Sequence, residues 1–111
     1  MYQLIRRSEQ TPSPKGTVTF EGEPYGGEVS MFIMDSPPGH ATGLHKHPYS
    51  ETWVLRSGEA EFTVNGETTR AHAGDIIVVP AQTPHRFANV GAERLDMVCI
   101  HASGRIMQDD L

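Results

Sequence analysis

The chain has 111 residues, a length typical of one domain, since domains average roughly 100–200 residues. Its net charge of −5, with nine scattered Lys and Arg residues, excludes the basic patch typical of nucleic-acid-binding proteins. The one cysteine, Cys99, excludes an intramolecular disulfide, and the apolar runs are too short to span a bilayer. We therefore expect a cytoplasmic protein that binds neither nucleic acid nor membrane.

Short runs of β-branched and aromatic residues, separated by turn residues, recur along the chain and indicate an all-β fold. We predict ten strands, in chain order Tyr2–Arg6, Thr17–Phe20, Glu28–Asp35, Thr42–His47, Glu51–Arg56, Ala60–Val64, Thr68–His72, Asp75–Val79, His85–Asn89 and Arg94–Ala102. So many short strands in one domain favour a closed barrel or a double-sheet jelly roll, because both architectures protect the sheet edges.

The dipeptide Asn65-Gly66 is the clearest turn signal, because it supplies the two positive φ values of a type I′ turn and so predicts a hairpin. We divide the chain into an N-terminal strand and loop over 1–16, a barrel over 17–102 and a C-terminal tail over 103–111. The N-terminal strand suits pairing with the exposed sheet edge of a second copy, so we expect a homodimer with this segment exchanged. The tail is expected to form a short helical turn or to lie over the barrel mouth.

Two histidines and a glutamate stand at a spacing that suits metal ligation. Side chains alternate faces along a strand, so His45 and His47 point the same way with Cα atoms about 7 Å apart. Glu51 has the same parity, but a straight strand would carry it roughly 13 Å beyond His47, so the chain must turn at Pro48. Histidine and carboxylate ligands together suit Fe, Mn, Ni, Cu or Zn. His85 follows a second buried strand and a second proline corner, which makes it the natural fourth ligand.

The residues around these positions resemble the two motifs of the cupin superfamily. The first motif reads Gly39, HATGL, His45-Lys46-His47, PYS, Glu51, TWVLRS, Gly58. The second reads Gly74, DIIVV, Pro80-Ala81-Gln82, TP, His85, RFA, Asn89, with fifteen residues between the two motifs. Every fixed position of the family is met except one, because Gln82 stands where the family has glycine. A type I turn, which needs no positive φ, would accommodate this glutamine.

The resemblance implies a small single-domain cupin, a jelly-roll barrel or double-stranded β-helix, that holds one first-row transition metal ion per chain. The ligands it implies are His45, His47, Glu51 and His85. Trp53 and Phe87 each lie two residues after a ligand and share its inward face, so they fill the core or also form the wall of a substrate pocket.

The activity stays open between three classes. One is a metal-dependent, oxygenase-like enzyme that acts on a small apolar or aromatic organic molecule. The second is a non-catalytic cupin that binds a small ligand or acts as a sensor, and the third is a metal-dependent isomerase or decarboxylase. All three use a small-molecule ligand, and the four ligands alone do not distinguish them.

Other polar residues are expected to be structural. His40 and His72 lie in turns and should be solvated, whereas periodicity leaves the orientation of His101 open. Cys99 is expected to be a small buried hydrophobe, and Asn89 to hydrogen-bond to the backbone at a strand end. The arginines lie off the inward faces or in turns, so we expect no interior cation that could bind a phosphate group.

Overall fold

The computed structural model describes residues 1–111 and is built almost entirely of β-strands. The ten strands are β1 Val18–Glu21, β2 Ser30–Ser36, β3 His45–Lys46, β4 Glu51–Ser57, β5 Glu59–Val64, β6 Glu67–His72, β7 Ile76–Val79, β8 His85–Ala88, β9 Leu95–His101 and β10 Asp109–Asp110. The helical segments are two 3₁₀ turns, Arg7–Glu9 and Glu23–Tyr25. No helix is long and apolar enough to cross a membrane.

The strands form two antiparallel five-stranded sheets, one in the order β1-β2-β9-β4-β7 and the other in the order β10-β3-β8-β5-β6. Alternate side chains of each strand point into the space between the sheets, where eleven buried apolar residues form one core. Its largest fully buried members are Trp53, Phe62, Leu55, Leu95 and Met97. The predicted all-β jelly roll is confirmed.

Most strand predictions are close to the observed limits. The predicted counterparts of β1, β2 and β4 to β9 begin and end within two residues of the structure. The hairpin of β5 and β6 turns at Asn65 and Gly66, whose φ angles of 50° and 80° are those of a type I′ turn. β3 is shorter than predicted, because the segment pairs with β8 only at His45 and through an isolated bridge at Ala41.

Both ends of the chain differ from expectation. The predicted strand Tyr2–Arg6 is not formed, because this segment has no neighbouring strand in the chain with which to share a ladder. Of the two conformations expected for the tail, the structure has the one over the barrel mouth. There β10 pairs with β3, and the Leu111 N–H donates to the carbonyl of Leu44 at 3.0 Å.

Gln82 adopts a left-handed backbone conformation with a φ of 61°, so the predicted type I turn without positive φ is wrong. The turn is held by the Gln82 N–H, which donates to the carbonyl of His47 at 2.7 Å. A side chain in this conformation crowds the following carbonyl and costs about 1–2 kcal/mol. A glycine, as in the family motif, would avoid that cost. In this chain the strained residue lies in an exposed turn.

We predict that Gln82→Gly raises the free energy of unfolding by about 0.5–1 kcal/mol, because the relieved strain exceeds the entropy that glycine adds to the unfolded chain. Urea denaturation followed by circular dichroism measures the change. Ala81→Gly is the matched control, since Ala81 has no positive φ and its replacement should lower stability instead. A Gln82→Gly variant less stable than the parent chain would contradict this account.

Candidate metal centre

Four side chains from both sheets meet between the sheets at one end of the barrel. His45 lies on β3, His47 in the corner after it, Glu51 at the start of β4 and His85 at the start of β8. Each offers one ligand atom, and these four atoms all lie within 4.8 Å of one another. Glu51 is 4% exposed and His45, the most accessible of the four, is 9% exposed.

The strand registers explain why these residues meet. His45 stands directly opposite His85 in the β3–β8 pair, with ring centroids 4.3 Å apart. The chain then turns at Pro48 from one sheet to the other, so that Glu51 faces back across the interior. The predicted turn between His47 and Glu51 is present.

The outer nitrogens of the three imidazoles are held by backbone carbonyls. The Nδ1 atoms of His45, His47 and His85 lie 2.7, 2.7 and 2.8 Å from carbonyl oxygens. Those oxygens belong, in the same order, to Gly43, Met107 and Thr83. Because a carbonyl oxygen only accepts, each Nδ1 carries a hydrogen, and the Nε2 of the neutral ring keeps its lone pair. Bonds of this kind orient the histidines that bind metal ions in proteins.

The two carboxylate oxygens of Glu51 have different neighbours. Oε1 lies 3.1 Å from Nε2 of His47 and 3.0 Å from Nε2 of His85. These three atoms are fully buried, and none has a hydrogen-bond partner. Neither a carboxylate oxygen nor an imidazole lone pair can donate a hydrogen bond. Oε2 accepts a hydrogen bond of 2.7 Å from Nε1 of Trp53 and lies 3.3 Å from Nε2 of His101.

A transition metal ion fits the donor atoms that are left without partners. A buried carboxylate beside imidazole lone pairs is costly unless a cation or a proton compensates its charge. The unpartnered Nε2 and Oε1 atoms provide nitrogen and oxygen ligands, the combination that suits Fe, Mn, Ni, Cu or Zn. His45, His47, Glu51 and His85 can therefore hold such an ion together.

Without a metal ion, protons are what compensate Glu51. Burial acts to raise the pKa of Glu51, but the close imidazoles of His101, His47 and His85 outweigh it and hold that pKa well below its usual range. Burial likewise acts to lower the pKa of His47, but Glu51 outweighs it and the pKa is raised. In His45 burial dominates and lowers the pKa. Protons and metal ions thus compete for the same buried atoms.

A cavity of about 300 Å³ lies beside His45 and Glu51. Its buried apolar lining consists of Met34, Trp53, Phe87 and Cys99. Its exposed polar lining includes Ser13, Lys15, Gln108 and Asp110. Trp53 and Phe87 therefore belong to the core and to the cavity wall at once.

The remaining polar residues correct some expectations and confirm others. His72 is exposed as expected, but His40 is half-buried, lies 2.6 Å from the Ser36 hydroxyl and borders the cavity. Lys15 also borders the cavity, as an exposed residue. Asn89 bonds backbone carbonyls as expected.

Two residues of the site were missed in the sequence. Tyr49 is separated from His47 and from Glu51 by one residue each, so alternation along the chain could have predicted that its side chain points to the same side. Its Oη lies 2.6 Å from Nδ1 of His101, which is buried and stands opposite Glu51 in the β4–β9 pair. No local signal marks the Met107 carbonyl, which is 60 residues from the histidine that it holds.

Comparisons with known proteins agree with this fold. A family model described as "Cupin domain" matches residues 32–101. Mannose-1-phosphate guanylyltransferase of Sinorhizobium fredii is 32% identical over 97 residues, 79% of this chain and 19% of that protein. Polyketide synthase CurC of Streptomyces cyaneus is 40% identical over 73 residues, 65% of this chain and 46% of that protein.

Solved structures give the same architecture. A mutant of Bacillus subtilis oxalate decarboxylase superposes with a TM-score of 0.83 and 25% identity, over 96% of this chain and 31% of that one. Another structure of that enzyme, described for its Mn(II) centres, superposes with a TM-score of 0.77 and 23% identity, over 92% of this chain and 29% of that one. The chain thus spans less than half the length of each of these proteins.

The pKa directions predict how the stability of the metal-free chain depends on pH. The contribution of Glu51 is present above its unfolded pKa of about 4.5 and is lost as pH falls below it. The contribution of His47 is present below about 6.5 and is lost as pH rises through its raised pKa. With a chelator present, the contribution of Glu51 and His47 to the free energy of unfolding should therefore be greatest between about pH 4.5 and 6.5.

The measurement is the urea midpoint of the parent chain minus that of Glu51→Gln, taken at several values between about pH 5 and 8. The subtraction removes the effect of the overall negative charge. We expect the difference to shrink as pH rises above about 6.5 in chelator and to grow when Zn(II) is added, because metal binding needs neutral imidazoles. A difference that grows with pH in chelator would contradict the proton role of His47.

Proposed function

This chain belongs to the cupin family, and from that premise we propose that it is a mononuclear metal-dependent enzyme acting on a small organic molecule. The metal is one first-row transition ion per chain. Its proposed ligands are His45, His47, Glu51 and His85. The observation that carries the proposal is the set of buried, unpartnered Nε2 and Oε1 atoms at the inner end of a cavity.

The cavity supports a small, largely apolar or aromatic substrate. Its volume of about 300 Å³ is at the low end of the range of roughly 300–1,000 Å³ typical of ligand pockets. Trp53 and Phe87 provide aromatic walls that exclude water, and Met34 and Cys99 extend the apolar surface. A substrate of this size would meet the metal at the inner end and the polar mouth at the other.

The reaction we propose is oxygenase-like. Bound there, a transition metal supplies Lewis-acid polarisation of a ligated substrate and, if redox-active, electron transfer to dioxygen. Glu51 is not free to act as a general base, because Trp53 and His101 occupy the neighbourhood of its second oxygen. An apolar wall without another carboxylate at the inner end favours chemistry carried by the metal over acid–base chemistry by side chains.

Decarboxylation of a small carboxylate is the second candidate. Its support is the likeness to oxalate decarboxylase at 25% identity over nearly the whole chain. Lys15, at the exposed side of the cavity, adds a cation that could attract an anionic substrate. No separate observation favours isomerisation. If no turnover is found, we would conclude that the protein binds a small ligand without catalysis.

We expect one metal ion per chain after native expression, measured by elemental analysis. His45→Ala, His47→Ala and His85→Ala should each lower occupancy sharply, because each removes one nitrogen ligand from the set. His72→Ala is the matched control, since His72 is exposed and remote from the cluster. Full occupancy in a His45→Ala, His47→Ala double variant would show that the metal binds elsewhere.

Turnover is tested by adding Fe(II) or Mn(II) anaerobically to the apoprotein, together with catechols, diketones, flavonols or small dicarboxylic acids. Oxygen uptake and release of CO₂ are followed after air is admitted. We expect metal-dependent oxygen uptake that is lost in His47→Ala and kept in His72→Ala. Release of CO₂ without net oxygen uptake would contradict the oxygenase proposal and support the decarboxylase proposal. Tight ligand binding without turnover across the panel would overturn the enzyme proposal.

We also propose a homodimer, for a reason different from the one read in the sequence. The outward face of the sheet that contains β4 carries two largely apolar rows across its five strands. One row is Val18, Ile33, Val98, Val54 and Ile76. The other is Phe20, Met31, Ile100, Thr52 and Val78. Ile76 and Val78 are 64% and 62% exposed.

A second copy is the occupant that suits this face. Monomeric proteins rarely expose an apolar patch of more than a few hundred Å², and five strands at about 4.8 Å spacing make the patch wide. An apolar sheet face can pair with the same face of a second copy about a two-fold axis. The apolar sheet face is thus a second basis for a dimer, beside the expected exchange of the segment 1–16.

Light scattering at micromolar concentration should give about twice the monomer mass of 12.2 kDa. The double variant Ile76→Glu, Val78→Glu should be monomeric, because it would bury two charges on the interface. Thr69→Glu, on the exposed hairpin of the other sheet, is the control and should stay dimeric. A monomer mass for the parent chain would refute the dimer.

A further inference from the structure

Two side chains next to the proposed ligands, one buried and one half-buried, are not themselves proposed ligands. His101 is 1% exposed at the end of β9, and Tyr49 lies half-buried in the proline corner. Tyr49 Oη is 2.6 Å from Nδ1 of His101, and Nε2 of the same ring is 3.3 Å from Oε2 of Glu51. The three side chains form a continuous row that ends on the carboxylate.

The direction of the hydrogen bond from Tyr49 follows from its neighbours. The Met107 N–H donates to Tyr49 Oη at 3.2 Å, so it cannot receive the hydroxyl proton. Nδ1 of His47, 3.4 Å away, carries a hydrogen because it bonds the Met107 carbonyl. Nδ1 of His101 is the acceptor that remains, so Tyr49 donates to it.

This bond determines where His101 carries its own hydrogen. A neutral ring that accepts at Nδ1 has its hydrogen at Nε2. That buried Nε2 has no hydrogen-bond partner in the structure, and its nearest acidic neighbour is Oε2 of Glu51 at 3.3 Å. Oε2 thus accepts a hydrogen bond from the Trp53 indole and has the Nε2 of His101 3.3 Å away. Oε1 alone remains beside the Nε2 atoms of the ligand histidines.

We propose that Tyr49 and His101 are positioning residues that keep Glu51 a one-oxygen metal ligand. A carboxylate whose second oxygen is held elsewhere cannot bind the ion through both oxygens. One more coordination position then stays open for substrate at the cavity, which His101 also borders. This inference rests on the proposed metal site and adds the residues that set its coordination.

The experiment uses Co(II) as the probe, titrated into the apoprotein of the full chain. Its visible absorption reports coordination number, and competition with a chelating dye gives the dissociation constant. Tyr49→Phe removes only the hydroxyl, and His101→Leu removes both ring nitrogens at similar bulk. We expect each to weaken Co(II) binding about 10–100-fold and to reduce the absorption intensity, as a second carboxylate oxygen enters the coordination sphere.

His101→Gln distinguishes positioning from packing. A glutamine amide can accept from Tyr49 and donate to Glu51, so this variant should stay within about threefold of the parent affinity and keep its spectrum. His72→Leu is the control for loss of an exposed histidine and should change neither readout. Far-UV circular dichroism checks the fold, and Tyr49→Phe decides the result if His101→Leu does not fold.

Parent-like affinity and spectrum in Tyr49→Phe, or in a folded His101→Leu, would overturn the positioning role. A His101→Gln variant as weak as His101→Leu would overturn it as well, because the hydrogen bonds would then not be what matters. If the parent chain itself binds no Co(II), the proposed metal site is refuted and this inference falls with it. Each outcome therefore separates failure of the positioning role from failure of the site.

Discussion

The burial of Glu51 is the constraint on which the rest of the structure depends. An ionised carboxylate taken out of water costs several kcal/mol unless opposite charge and hydrogen bonds compensate it. Here the compensation comes from Trp53, His101 and the Nε2 atoms of His47 and His85. A cluster so tightly grouped around one acid could be compensated by protons or by the proposed metal ion. The choice between them follows pH and metal supply.

The backbone prepares the cluster for the metal-bound state. Three carbonyls hold the outer nitrogens of the imidazoles, so the lone pairs lie on the nitrogens that face Glu51. Two of these carbonyls, those of Gly43 and Thr83, lie two residues before their histidine. The third, that of Met107, comes from the tail and depends on β10 pairing with β3. The tail is therefore part of the site and also part of the cavity wall.

What could be read in the sequence was governed by local rules. Alternation along a strand gave His45 and His47 a common face, and Pro48 required the turn that brings Glu51 back to them. Asn65-Gly66 predicted its hairpin because the turn chemistry lies within two residues. Contacts set by the whole fold were not readable. The segment Tyr2–Arg6 has β-forming residues but no neighbouring strand. Gln82 is held in its strained turn by a backbone hydrogen bond to His47. The carbonyl of Met107 accepts from a histidine 60 residues away.

Family membership leaves the reaction open, since this chain spans only part of each relative described above. The cavity and the coordination of the metal are what decide it. X-ray absorption at the metal edge of natively loaded protein tests the central claim most directly. The account predicts three imidazole nitrogens and one carboxylate oxygen from the chain, with solvent in the remaining positions, and a different spectrum in Glu51→Gln. A spectrum without imidazole scattering, or one that Glu51→Gln leaves unchanged, would contradict it.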